Sequence, residues 1–428
     1  MKLKLIGRAG TASMLSLAMA LGVTSCSNDY TVSYVYMATS KALPHGLING
    51  YQVDYQSGSL LPLADSPIDA GGRDTVALVV APNDLFLYTV NNFDSNVVEL
   101  AIGTDGKLYP QHTYSTTGSL PTAAAIDAAG KFLYVTFTYQ NNQPTASNPY
   151  GSELYTPANP GPGGITIFPI NSDNTLGTPV SMLNGSVTTV QYAGLNDVPV
   201  GRNPVGITTV KNSSDSYVYV IEQDSAVTTN LIGFKEDPTT GALTALAGET
   251  INSGNVPSTG FASGTMPSGI LADSTGTHLY VTDQTLNQVW AYSLASSGVP
   301  TLIGTTQTDA GPLGMTFDLS GKFLYVTAYS ANVLDGYTLS ASGQPVRSTT
   351  TSTMVTGTGP TCAAVVGAPT SASPSHGEYL YTSNQLGGSV TGLQLNQQDG
   401  SLVQIPGTPY SGSALATCLV TVPAFPLS

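Results

Sequence analysis

The chain has 428 residues, with 12 Lys and Arg against 26 Asp and Glu, and a formal net charge of −14. Only 9% of its residues are charged, and Thr, Ser, Asn and Gly fill the polar positions. So acidic a surface excludes nucleic acid and anionic lipid headgroups as partners held by charge.

Residues 1–25 read as a targeting segment. Lys2, Lys4 and Arg8 form a basic start and Ala12 to Val23 an apolar stretch. That stretch is too short, and too broken by Gly and Ser, for a transmembrane anchor. It ends in Val23-Thr24-Ser25-Cys26, which resembles the lipobox of bacterial lipoproteins. The resemblance implies a diacylglyceryl group on Cys26, a short tether over residues 26–32, and a lipid-anchored, extracytoplasmic protein of the bacterial cell envelope. Without residues 1–25 the net charge is near −17.

From residue 33 onward one unit recurs. Its clearest copy is Gly311 to Val346, where apolar runs at Pro312–Asp318, Phe323–Thr327 and Val333–Leu339, and a last run near Pro345, are broken by turn residues. Leu319-Ser320-Gly321-Lys322 and Ser340-Ala341-Ser342-Gly343 have tight-turn composition, so the unit reads as a four-stranded antiparallel meander. Its second strand has seven versions, at Tyr36, Tyr88, Tyr134, Tyr219, Tyr280, Tyr325 and Tyr381, and the last four read Leu/Val-Tyr-Val/Thr-Ile/Thr/Ser. Periods of roughly 40 to 50 residues with four strands each are the mark of propeller blades. The tyrosines are expected to be core.

The first strand of each unit carries a small residue at one aligned position: Val76, Ala123, Gly206, Gly269, Gly314, Cys362 and Cys418. Innermost strands converge on the axis, where side chains have little room. The Cys418 copy has no second strand after it, and the Val35 copy no first strand before it. The expectation is therefore an all-β, seven-bladed β-propeller over 33–422, closed by a C-terminal strand joining the N-terminal blade, with a tail at 423–428. Cys362 and Cys418 share a register on neighbouring inner strands, which favours two buried thiols over a disulfide. A metal site and any cofactor are not expected.

Three insertions, Thr138–Gly164, Gly185–Asn203 and Gly248–Met266, fall in loops of one face, over blades three to five. They carry Tyr139, Tyr150, Tyr155, Tyr192 and Phe261 among Asn, Pro and Gly. At the end of the second strand, on the same face, the aligned residues are Thr39, Asn91, Phe137, Glu222, Asp283, Ala328 and Asn384. Glu222 and Asp283 come from adjacent blades. They are an acid/base pair, oxygen ligands for a cation, or solvated acids of an acidic protein. Arg202 either steers an anion or pairs with an acid. His45 and His112 are assigned to loops of this face, His278 and His376 to the other, and no triad or P-loop motif occurs. Any ligand is expected at the mouth lined by Phe137, Tyr139, Tyr155, Tyr192, Arg202, Glu222 and Asp283.

Gly-Lys-Phe-Leu-Tyr-Val-Thr, after a Pro-started strand and before a Tyr-x-Leu strand, resembles the YVTN-type propellers and the lactonase family of seven-bladed propellers. That family includes 6-phosphogluconolactonases and muconate-cycloisomerising enzymes. Its Pro-His or Pro-Arg-His signature is replaced here by Pro204-Val205-Gly206, Pro267-Ser268-Gly269 and Pro312-Leu313-Gly314, while Glu222 stands where a family Glu falls. The resemblance implies two readings. One is a monomeric binding module for a glycan, peptide or sugar acid. The other is a lactonase with Glu222 as base and Arg202 holding a carboxylate or phosphate.

Overall fold

A computed structural model describes residues 31–40, 44–140, 163–180, 197–224, 227–247, 260–348, 353–366 and 378–424. The segment 1–30, with Cys26, lies outside the described residues, as do Tyr155, Tyr192 and His376. The described residues form seven antiparallel sheets and no helix. In blades 1, 6 and 7 the outer strand is divided into two short pieces that both pair with the third strand. In blade 3 that outer strand is Val198–Pro199, which pairs with Gly164–Pro169.

The ring closes as expected. Ala416–Pro423 pairs antiparallel with Thr31–Thr39, joining Tyr34 to Val422 and Tyr36 to Val420. Thr417 Oγ1 then donates to the Thr75 carbonyl of blade 2, and Thr421 Oγ1 to the Val365 carbonyl of blade 7. No sheet edge is left between the first and last blades.

The seven strand-two tyrosines are buried, and they join the blades to one another. Each hydroxyl donates to a main-chain carbonyl in the hairpin between strands three and four of the next blade. The pairs are Tyr36–Gly106, Tyr88–Asn174, Tyr134–Gly241, Tyr219–Gly298, Tyr280–Gly343, Tyr325–Gly400 and Tyr381–Gly58. All seven acceptor residues have positive φ, between 68° and 84°. Six are Gly, which adopts that conformation without strain. The absent side chain matters as much as the φ. A Cβ on Gly106, Gly241, Gly298, Gly343, Gly400 or Gly58 would collide with Tyr34, Phe132, Tyr217, His278, Phe323 or Tyr379, the ring two residues before each tyrosine. The Phe-Leu-Tyr of the repeat is thus a two-point grip on the neighbouring blade: the first ring packs flat on the turn, and the second bonds to it.

Every inner strand has a register shift near its start, after its first residue in six blades and after Pro121, its third, in blade 3. The bulged residue leans towards the following blade, and Thr122 and Ser268 donate from that position to the Pro204 and Pro312 carbonyls. The small-residue position follows the bulge, and in blade 2 it falls on Ala77, which pairs with Val90, one residue after Val76. Its crowding is direct. A Cβ on Gly269 would strike the Leu313 carbonyl, and one on Gly314 would lie 2.5 Å from that of Thr361. Cys362 and Cys418 occupy the same position unbridged, and Cys362 Sγ lies 3.5 Å from the Thr417 carbonyl. Burial pushes the Cys362 thiol up to about 11.

Candidate functional site

The connection entering each inner strand and the end of the second strand meet at the axial mouth of the loop-bearing face. In five blades a Gly three residues before the inner-strand residue that opens the bulge (Thr75, Pro121, Pro204, Pro267 or Pro360) covers that residue's partner on strand two. Gly72 faces Asn91, Gly118 Phe137, Gly201 Glu222, Gly264 Asp283 and Gly357 Asn384, and a Cβ on any of these glycines would strike the residue beneath. Blade 6 inverts the sizes, with Asp309 in the glycine position and Ala328 below it. The residue directly before the bulge-opening residue has positive φ in six blades: Asp74, Leu120, Asn203, Gly311, Gly359 and Leu415. Gly-x-x-Pro before an inner strand is the sequence signal of this cap, and residue-by-residue alignment of strand two alone misses it.

This cap decides what the two carboxylates can do. Asp283 is fully buried. Its Oδ2 accepts the amide N–H groups of Thr265 and Met266 at 2.6 and 3.0 Å, and its Oδ1 those of Thr285 and Leu286 at 2.9 and 2.7 Å. Four donors from two loops make it the tie between the incoming connection and the following turn. Glu222 is also buried, 1% exposed, with its carboxylate against Gly201. The two acids stand on neighbouring blades, and Gln223 Nε2 donates across to the carbonyl of Pro267, the partner of Asp283 in the ladder. Each is directed under the cap of its own blade. Phe137 is likewise buried, beneath Gly118 and Gly164, while Tyr139 is half-buried at the end of the same strand. Phe261 forms a β-bridge to Leu231 and packs in the core between blades 4 and 5.

The surface of the mouth begins one residue later. Ser40, Asn92, Thr138, Gln223, Gln284, Tyr329 and Gln385 follow the strand-two ends, and all are polar and uncharged. They are held round the ring. Asn92 Nδ2 donates to the Pro121 carbonyl, Thr138 Oγ1 to that of Leu120, and Tyr329 OH to Gln385 Oε1. Arg202 sits in the cap of blade 4, at the rim. Arg73, its counterpart in blade 2, is tied to Asp94, and Arg347 to Asp309 and Asp335. Arg202 is the one described arginine without an ion pair, and its buried Nε has no hydrogen-bond partner.

The described histidines lie away from the mouth's centre. His45 pairs with Asp69 at 2.8 Å, and His278 with Asp273 at 3.1 Å on the opposite face. His112 is in the outer strand Leu108–Ser115, opposite Glu99, and not in a loop. Among the described residues no group of three His, Cys, Asp or Glu is arranged to hold a metal ion.

The geometry defines a seven-bladed propeller whose described residues give its mouth a ring of uncharged hydrogen-bonding groups, with the unpaired Arg202 at its rim. Residues 212–365 match the family model described as Lactonase, 7-bladed beta-propeller, so the resemblance in the repeats is borne out over that stretch. No curated protein matches the chain. Among solved structures, the periplasmic gluconolactonase PpgL of Pseudomonas aeruginosa is similar with TM-score 0.65 and 18% identity, over 92% of this chain and 99% of that one. A Bacteroides uniformis protein, provisionally described as a 6-phosphogluconolactonase, gives 0.65 and 16% over the same shares. A Lactobacillus plantarum protein gives 0.65 and 15%, over 92% of this chain and 100% of that one. At these identities the likeness establishes the shared fold.

Proposed function

We propose that this propeller binds a small, hydroxyl-bearing carboxylate or its lactone at the loop-face mouth, with Arg202 as the anion contact. The observation that carries this reading is the unpaired Arg202, with its buried Nε unbonded, beside a ring of amides and hydroxyls. A guanidinium partly withdrawn from water costs free energy until an anion meets it. Neutral amides and hydroxyls suit the hydroxyl groups of such a ligand. Tyr139, Tyr155 and Tyr192 belong to the same proposed surface.

Calorimetry with gluconate tests it. Arg202→Gln should weaken binding at least about tenfold, the loss of one charge-assisted pair. Equal affinities in both forms would remove Arg202 from the site.

A second reading, hydrolysis of a sugar-acid lactone, is favoured by the family match across residues 212–365, which includes Glu222. In it Glu222, under Gly201, activates water once the cap opens, and Asp283 keeps the neighbouring loop in place. Opening of glucono-δ-lactone faster than in buffer alone, and lost in Glu222→Gln, would support catalysis. The same calorimetry then separates binding from turnover.

We also propose that Cys26 is acylated and tethers the protein to the cell envelope, on the strength of the Val23-Thr24-Ser25-Cys26 motif. The parent should partition into detergent with the membrane fraction and Cys26→Ser should not. Identical release of both forms would refute the anchor.

A further inference from the structure

Loop tips are usually polar, yet the turns round this mouth expose large apolar side chains. Met266 and Leu286 of blade 5 are 40% and 41% exposed, Leu386 and Leu415 around blade 7 are 61% and 46%, and Phe93 of blade 2 is 53%. The five flank the polar ring closely. Gln284 N donates to the Met266 carbonyl, Leu415 N to that of Gln385, and a Cβ on Gly359 would lie 3.0 Å from both Leu386 and the Tyr329 ring. Met266 and Leu286 stand in blade 5, next to Arg202 in blade 4, with Thr285 Oγ1 3.5 Å from Met266 Sδ. Among the described residues an apolar pair therefore adjoins the unpaired cation on the next blade.

The charge count on this rim is equally informative. Arg73 is neutralised by Asp94, so Arg202 is left to meet a single negative charge on a strongly acidic protein. A ligand carrying both a carboxylate and a phosphate would bring about three charges to one guanidinium.

Resting on the binding reading above, we infer that the ligand of this mouth is a monoanionic hydroxy acid with an apolar arm rather than a phosphorylated sugar acid. The carboxylate meets Arg202, the hydroxyl meets the amides of Gln223 or Gln284, and the arm lies across Met266 and Leu286 of the next blade. Covering about two methylenes on those side chains corresponds to roughly a tenfold gain in affinity.

The test is calorimetry of the full chain with 4-hydroxydecanoate, gluconate and 6-phosphogluconate. The parent should bind 4-hydroxydecanoate about tenfold more tightly than gluconate, and 6-phosphogluconate no more tightly than gluconate. The doubly substituted Met266→Ser/Leu286→Ser protein should lose that preference while keeping its gluconate affinity. Both side chains are exposed, so the fold should tolerate the change. Gluconate or 6-phosphogluconate binding as tightly as 4-hydroxydecanoate, or a preference that survives the double substitution, would overturn the inference. Arg202→Gln leaving gluconate affinity unchanged would instead overturn the binding reading beneath it.

Discussion

On the face where strands one and two turn, the seven blades are close to interchangeable, whereas on the opposite face each blade ends differently. The first face repeats one contact, a tyrosine hydroxyl on a left-handed turn of the next blade, seven times, and in six of them an aromatic ring also packs on the turn's glycine. The second shares a cap geometry but fills it with Asn91, Phe137, Glu222, Asp283, Ala328 or Asn384 in turn. The difference separates two demands on one repeat. Ring closure needs every blade to present the same surface to its neighbour, so the grip cannot vary. A binding mouth needs the blades to differ, and the cap lets them do so without disturbing the grip.

If that division is right, substitutions on the gripping face should cost most, and the two causes built into its turns can be taken apart. Gly298 has φ of 79° and also packs against the Tyr217 ring, whereas Gly321 has φ of 70° with nothing within 4 Å of its Cβ position. Gly321→Ala should lose about 1 kcal/mol from the left-handed conformation alone. Gly298→Ala adds a forced ring displacement and should lose about 3 kcal/mol in urea denaturation. Blade 3 offers the reverse experiment, since Asn174 holds φ of 68° where the other blades have Gly. Asn174→Gly should change stability by less than about 1 kcal/mol, Asn being the residue that best tolerates this region. Equal losses at Gly298 and Gly321 would mean that the ring-on-glycine contact contributes nothing.

Much of the first face was legible in the sequence and much of the second was not, for a physical reason. Leu-Tyr-Val-Thr recurs because seven strands meet the same surroundings, so periodicity alone exposes the blades and the half-unit at each end exposes the closure. What the tyrosine does stays hidden, because its partner lies in another blade: Tyr219 reaches Gly298, 79 residues away. At the mouth, alignment finds that Glu222 and Asp283 are equivalent and on adjacent blades. It does not reveal that Gly201 and Gly264 cover them, or that four backbone amides occupy Asp283. The bulge that opens each inner strand is likewise silent in composition, which is why Val76 stands in the alignment where Ala77 stands in the ladder.

One blade departs from the rule on the conserved face, and it gives the smaller and more specific prediction. The strand-three position opposite the residue three before each strand-two tyrosine is apolar elsewhere, as at Val53, Leu339 and Leu395, but in blade 4 it is Glu236, 2% exposed. Neither carboxylate oxygen has a hydrogen-bond partner, and the adjoining grip, Tyr134 to Gly241, is the longest of the seven at 3.3 Å. Burial, with the nearby Asp127 charge adding to it, raises the Glu236 carboxyl to about 7. The folded protein therefore keeps a proton that the unfolded chain has already released above its ordinary carboxylate range. Stability falls as pH rises from about 4.5 to about 7, by about 2–3 kcal/mol, and the loss is complete above that window. Glu236→Leu restores the residue type of the other blades and removes this penalty. Its advantage over the parent in urea denaturation should widen by that amount between pH 4.5 and pH 8. Both proteins should retain some slope, because burial also raises Asp197 to about 7 and Asp335 to about 6. An advantage that stays constant across the range would show that Glu236 ionises freely where it stands, and that blade 4 holds its neighbour no differently from the rest.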